Sequence, residues 1–233
     1  IEEGLLQPKT LGIVRMEAPA GLVMIEYKQE GSKVKSVKLT NVASFLHSAD
    51  LTASCLELDE LVVDVAYGGN FYAIVDVQKN FKGIEHYSAS QLMAWARELR
   101  KNINANYEFV HPEDSTISGC SHILWAGAVL DQSSTARNAV FYGENGIDRS
   151  PCGTGTSARM AQWYAKGKLK KGDAFIHESI IGSKFIGRIE AETMLDGKPA
   201  IMPSIEGWAR IYGYNTISID TDDDPYALGF QVV

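Results

Sequence analysis

Asp148-Arg149-Ser150-Pro151-Cys152-Gly153-Thr154-Gly155-Thr156-Ser157-Ala158 sets a thiol at the mouth of an expected helix, behind a proline and inside a glycine–threonine turn. A helix start leaves backbone N–H groups without intrahelical partners. It also carries partial positive charge, which favours thiolate over thiol. The same N–H groups can hold a carboxylate or phosphate. The segment is therefore expected to supply an easily ionised sulfur beside an anion cradle, which suits chemistry next to the carboxylate of a small acid. Gly153 and Gly155 allow close backbone approach to a ligand, and Thr154, Thr156 and Ser157 add hydroxyls. Asp148 precedes the sulfur closely enough to reach an ammonium group over the same pocket.

Downstream, Ala158, Met160, Ala161, Trp163 and Ala165 make this helix small or apolar almost all round, so it is expected inside a core, stopped by Gly167. Upstream, alternation predicts strands over 11–16 and 21–28, joined by Ala18-Pro19-Ala20-Gly21, and over 33–39. Strands over 61–66 and 71–75 flank the hairpin signal Gly68-Gly69-Asn70. Ser88 with Gln91 reads as a capping box. It opens a helix whose Leu92, Trp95, Ala96, Leu99 and Ile103 share one face, ending within 102–106. Further strands are expected over 121–130, 138–142, 174–180, 184–190, 200–202, 207–212 and 215–219, with a final one at 227–232. Many short strands with few helices define an α+β chain. A domain crossover is placed at 108–112, giving parts 1–108 and 109–233. Ile1-Glu2-Glu3-Gly4 reads as the last turn of a helix, and we expect the segment to be cut from a longer polypeptide.

The chain has 233 residues, 45% hydrophobic and 22% charged, enough for a sizeable core. A net charge of -7 argues against nucleic acid and anionic membranes as partners. Asp222-Asp223-Asp224 reads as a solvated turn before Pro225. No apolar run approaches the ~18–20 residues of a membrane span, and no secretory pattern is present. Cys55, Cys120 and Cys152 have neither zinc-ligand spacing nor an even count, which fits a reducing compartment, the cytoplasm.

Two chemistries fit the Cys152 turn. The thiolate could remove a proton alpha to a carboxylate, with a second acid on the opposite face. Alternatively, it could attack an acyl carbon with His122 as partner base, and a non-catalytic amino-acid-binding module is a third reading. Phosphate binding fits less well, because the P-loop lysine is absent.

The motif around Cys152 resembles the second catalytic motif of the proline racemase family, cofactor-independent racemases and epimerases with a dehydratase branch. Ala18-Pro19-Ala20-Gly21-Leu22, Tyr67-Gly68-Gly69-Asn70-Phe71 and Ala136-Arg137-Asn138-Ala139-Val140-Phe141-Tyr142-Gly143 are similar to further family stretches. The resemblance implies a diaminopimelate epimerase-like fold: two α/β halves, each a sheet wrapped around a central helix, with the first half incomplete here. It implies two cysteines facing each other across the substrate, one of them Cys152. It assigns Gly153 and Thr154 to the substrate carboxylate, Asp148 to its amine and no cofactor. Cysteine at 152, where the dehydratases carry threonine, implies inversion. Ser118-Gly119-Cys120-Ser121-His122-Ile123-Leu124-Trp125 resembles the branch acting on 4-hydroxyproline, with His122 at the ring hydroxyl. Proline is the alternative substrate, and a homodimer is an assembly the family allows. The family's first motif, Met-Cys-Gly-His, is absent from these residues, and neither Cys55 nor Cys120 has its context. The polypeptide as it stands is therefore not expected to perform a two-base inversion by itself.

Overall fold

The computed structural model describes residues 1–229. Its strands are β1 Ile13–Ala18, β2 Gly21–Glu30, β3 Lys33–Thr40, β4 Ser44–Cys55, β5 Asp59–Tyr67, β6 Phe71–Val75, β7 Cys120–Gly127, β8 Ala136–Tyr142, β9 Gly146–Ile147, β10 Ala174–Glu178, β11 Lys184–Leu195 and β12 Lys198–Gly207. Helix α1 spans Ala89–Asn106 and helix α2 spans Gly153–Ala165.

All strands join one sheet, in the order β1-β2-β3-β12-β11-β10-β8-β7-β6-β5-β4, with β9 on β8. β12 also pairs with β4, through Ala200–Phe45 and Ile201–Ser44, so the strands from β4 to β12 close into a ring. β3 pairs with the end of β12 and carries β2 and β1 outward. Two pairings are parallel, β6–β7 and β10–β8. Parallel neighbours need a crossover, and α1 and α2 lie in the two crossovers. The expected crossover at 108–112 falls between α1 and β7, and β6 on one side of it pairs directly with β7 on the other.

Successive residues of the ring strands face opposite ways, and both faces are buried. Leu61, Val63, Val65, Phe71, Ala73, Ile123, Trp125, Ala139 and Phe141 pack toward α1, against Leu92, Trp95, Leu99 and Ile103. Ala66, Tyr72, Ile74, Leu124 and Val140 face the other way, with Cys152 and Ala158 of the α2 segment. Burying each large apolar side chain of α1 contributes about 1.5–3 kcal/mol. Its capping box is formed: Ser88 Oγ accepts from Gln91 N–H, and Gln91 Oε1 accepts from Ser88 N–H. α2 lies inside the ring, touching β4, β5, β6, β11 and β12, and is buried from Gly155 through Gln162. A sheet wrapped around a central helix, as the resemblance implies, is therefore present.

Three expectations need correction. β4 was not foreseen, because register shifts at Leu46/Ser48 and Ser48/Leu51 break its alternation. Beyond Gly207, the strands expected at 207–212 and 215–219 are not formed. Their Tyr212 and Ile217 side chains are 90% and 80% exposed, so the alternation has no surface to pair with among the described residues. Residues 1–4 form a turn closed by Gly4 N–H to the Ile1 carbonyl at 3.1 Å, with Gly4 at φ 71. Of the strand expected at 227–232, Ala227 and Gly229 lie in turns instead, and 230–233 fall outside the described residues.

Candidate active site

Cys152 is the N-cap of α2, in the left-handed region at φ 67. The backbone there is fixed from several sides. Asp148 Oδ1 accepts from Ser150 N–H at 2.8 Å, and Ser150 Oγ accepts from Cys152 N–H at 3.0 Å. Asn138, buried in β8, donates its amide to the Pro151 carbonyl at 3.0 Å. Thr156 N–H donates to the Cys152 carbonyl at 2.8 Å, and Thr156 Oγ1 meets the buried His177 Nδ1 at 2.9 Å.

Gly155 N–H donates to the Cys152 sulfur at 3.4 Å. Among the described residues, Gly153 and Thr154 therefore keep the free N–H groups of the first turn. Both residues are half-buried, and a Cβ at Gly153 would meet nothing within 4 Å, so the helix start faces open space. The β5–β6 hairpin presses on the other side of the turn. A Cβ at Gly68 would stand 2.2 Å from the Thr154 carbonyl oxygen and 2.5 Å from Ala158 N. Only glycine allows that approach.

Cys152 is 9% exposed. Burial pushes its thiol up from the ordinary value; contacts from the Tyr72 hydroxyl, the Gly155 amide and Thr154 pull it down, and the Asp148 charge pushes it up. The expectation of easy ionisation from the helix start is thus corrected: amide and hydroxyl contacts are present, but desolvation outweighs them. Cys152 is accordingly neither in an open electropositive site nor in wholly apolar packing.

His122 of β7 is half-buried, and its ring lies 4.8 Å from the Tyr72 ring, its register partner in β6. Its Nδ1 meets Ser121 Oγ at 2.6 Å. Burial, with Arg100, holds the imidazole below its usual value, so it is neutral at pH 7. Asp148 is half-buried, and its charge acts on Cys152, His122 and Tyr72 alike. Cys152, Gly153, Thr154, Asp148 and His122 therefore come together at one end of α2. Cys55 and Cys120 do not: they are 1% and 2% exposed in the α1-side core, with both thiols pushed up to about 12 by burial.

Sequence reasoning missed Tyr72. It is fully buried, and its hydroxyl lies 3.3 Å from the Cys152 sulfur and 2.5 Å from Thr154 Oγ1. The available signal was a single phenol in the otherwise apolar run Phe71-Tyr72-Ala73-Ile74-Val75. Among the described residues, no group of three His, Cys, Asp or Glu could hold a metal ion, and no helix is long and apolar enough to cross a membrane.

A cysteine capping a helix enclosed by a closed sheet, beside free backbone N–H groups, defines a class, and the chain belongs to the proline racemase family, whose profile matches residues 1–231. It is 64% identical over 233 residues to a 4-hydroxyproline 2-epimerase of Spirosoma linguale, covering 100% of this chain and 70% of that protein. It is 59% identical over 232 residues to a 4-hydroxyproline epimerase of Brucella ovis, covering 100% of this chain and 69% of that protein. A crystal structure of a hydroxyproline epimerase from Agrobacterium vitis with bound trans-4-hydroxy-L-proline is 32% identical, with a TM-score of 0.87 over 99% of this chain and 66% of that one.

Proposed function

We propose that the protein epimerises C2 of trans-4-hydroxy-L-proline to cis-4-hydroxy-D-proline without a cofactor, with Cys152 as one of two alternating thiols. The observation that carries this reading is the Cys152 sulfur beside the free N–H groups of Gly153 and Thr154. Those N–H groups would take the substrate carboxylate, Asp148 its ammonium and His122 its ring hydroxyl. A neutral imidazole can donate to or accept from a hydroxyl. Proton loss at C2 leaves a carbanion conjugated with the carboxylate, and the fixed N–H dipoles of the helix start stabilise that charge. Because burial raises the Cys152 thiol, its resting state holds a proton. It is thus poised to return a proton to C2 in one direction and, once ionised, to remove one in the other.

Inversion needs an acid on the opposite face. The burial of Cys55 and Cys120 in the α1-side core removes both from that role, so the opposing thiol is assigned to a part of the protein outside these residues. The same reading makes a small imino acid the partner.

In deuterated water the full-length protein should place deuterium at C2 of the epimer. Epimer formed without that label would sink the proton-transfer reading. The hydrolase alternative loses its support in the geometry, since the His122 Nδ1 partner is Ser121 and no hydrogen bond joins His122 to Cys152.

A further inference from the structure

Among the described residues, the Cys152 sulfur has three polar partners: the Tyr72 hydroxyl at 3.3 Å, the Gly155 N–H at 3.4 Å and Thr154 Oγ1 at 3.8 Å. None is a carboxylate, ammonium or imidazole. The Tyr72 hydroxyl also lies 2.5 Å from Thr154 Oγ1, so the three side chains form a chain. A buried hydroxyl is costly unless bonded, and both bonds of this one go to the helix start that carries the reactive sulfur.

A phenol holds one hydrogen and can both donate and accept. With the sulfur ionised, Tyr72 donates to it and accepts from the Thr154 hydroxyl. With the sulfur protonated, the S–H donates to the Tyr72 oxygen, and Tyr72 donates to Thr154 Oγ1. No atom has to move far, no water has to enter, and both protonation states of the thiol are satisfied. The titratable groups around the sulfur are Tyr72 from β6, His122 from β7 and Asp148 from the segment before α2; the Asp148 charge opposes ionisation, while the hydroxyl chain favours it.

We propose that Tyr72 is the positioning residue of the site, holding the Cys152 sulfur and setting its readiness to ionise through a Cys152–Tyr72–Thr154 hydroxyl chain that reverses with the charge on sulfur. Its use in turnover rests on the epimerase reading above; its effect on the thiol does not. The Tyr72 ring also lies against that of His122, so the phenol links the sulfur to the residue assigned to the substrate hydroxyl.

The test is the pH profile of iodoacetamide alkylation in the full-length protein, read at each cysteine by peptide mass spectrometry. Cys55 and Cys120, buried in the core, report on unfolding. Tyr72→Phe keeps the ring and removes the hydroxyl. It should slow Cys152 alkylation about tenfold at pH 8 and move the profile to higher pH, with Cys55 and Cys120 still unreactive. Thr154→Val should act in the same direction, about threefold, by removing the far end of the chain. An unmoved profile in Tyr72→Phe overturns the proposal. If that variant exposes Cys55 or Cys120, Thr154→Val decides, and an unmoved profile there overturns it equally. A shifted profile without C2 exchange in the unmodified protein would refute the epimerase reading and leave the role of Tyr72 standing. Exchange with an unmoved profile would do the reverse.

Discussion

Cys152 shows how a residue's setting can oppose its own helix. The amide of Gly155 and two hydroxyls favour the thiolate, yet desolvation raises the thiol overall. In the direction in which Cys152 removes the proton, activity in the full-length protein should therefore rise with pH through the neutral range, as the fraction of thiolate grows; a rate–pH profile flat from pH 6 to 9 in both directions would contradict this. In the proposed reaction, His122 carries the choice of substrate. Replacing it with Ala removes the partner of the ring hydroxyl, a loss of about 1–3 kcal/mol, or roughly 5–150-fold in kcat/KM for hydroxyproline. Proline, which has no hydroxyl to lose a partner, should be affected far less, and an equal loss on both substrates would remove His122 from that role. Cys152, Asp148 and His122 were legible in the sequence because a short motif names them. Tyr72 was not, because its importance depends on β6 lying beneath the α2 turn, and that is a tertiary fact.

Among the elements, α2 and the β5–β6 hairpin are fitted to each other. Asn41 donates its side-chain amide to the Gly68 carbonyl at 2.7 Å and to Ser157 Oγ at 2.9 Å, tying hairpin to helix. Gly68→Ala would drive a methyl into backbone atoms of α2, which cannot turn aside as a side chain can. Chemical denaturation should show a loss of about 3 kcal/mol, the upper part of the usual range for overpacking. Gly213→Ala, where a Cβ meets nothing within 4 Å, should be neutral. Equal stability of the two variants would show that the turn can yield. α1 was readable from its capping box and periodicity, and α2 from its glycine–threonine start, apolar run and stop at Gly167, because those signals are local. β4 was hidden by its bulges, and the pattern after Gly207 misled because alternation marks strand capacity, not the presence of a neighbour.

At the scale of the whole molecule, the enclosed helix makes stability depend on acid. His177 is 0% exposed, and burial with the nearby Arg159 pulls its imidazole down to about 3. The unfolded chain binds that proton near pH 6.5 and the folded chain does not, so stability is full above that value and falls as pH drops toward 3. The slope from this one group is about 1.4 kcal/mol per pH unit. His47 and His122, both also held low by burial, add in the same direction. Denaturant unfolding from pH 7 to 4 should show the decline, and His177→Gln should flatten part of it; an identical slope in that variant would acquit His177. The pairing of β4 with β12 has a different consequence, in time rather than in energy. Phe45 leaves the ribosome early and must wait for Ala200 before the barrel can shut. Until then α2 has walls on some sides only, and closure over so long a stretch of chain is slow. Nascent molecules should thus pass through a stage with their apolar strands bare, in which chaperones and proteases compete for a thiol that the finished protein keeps covered.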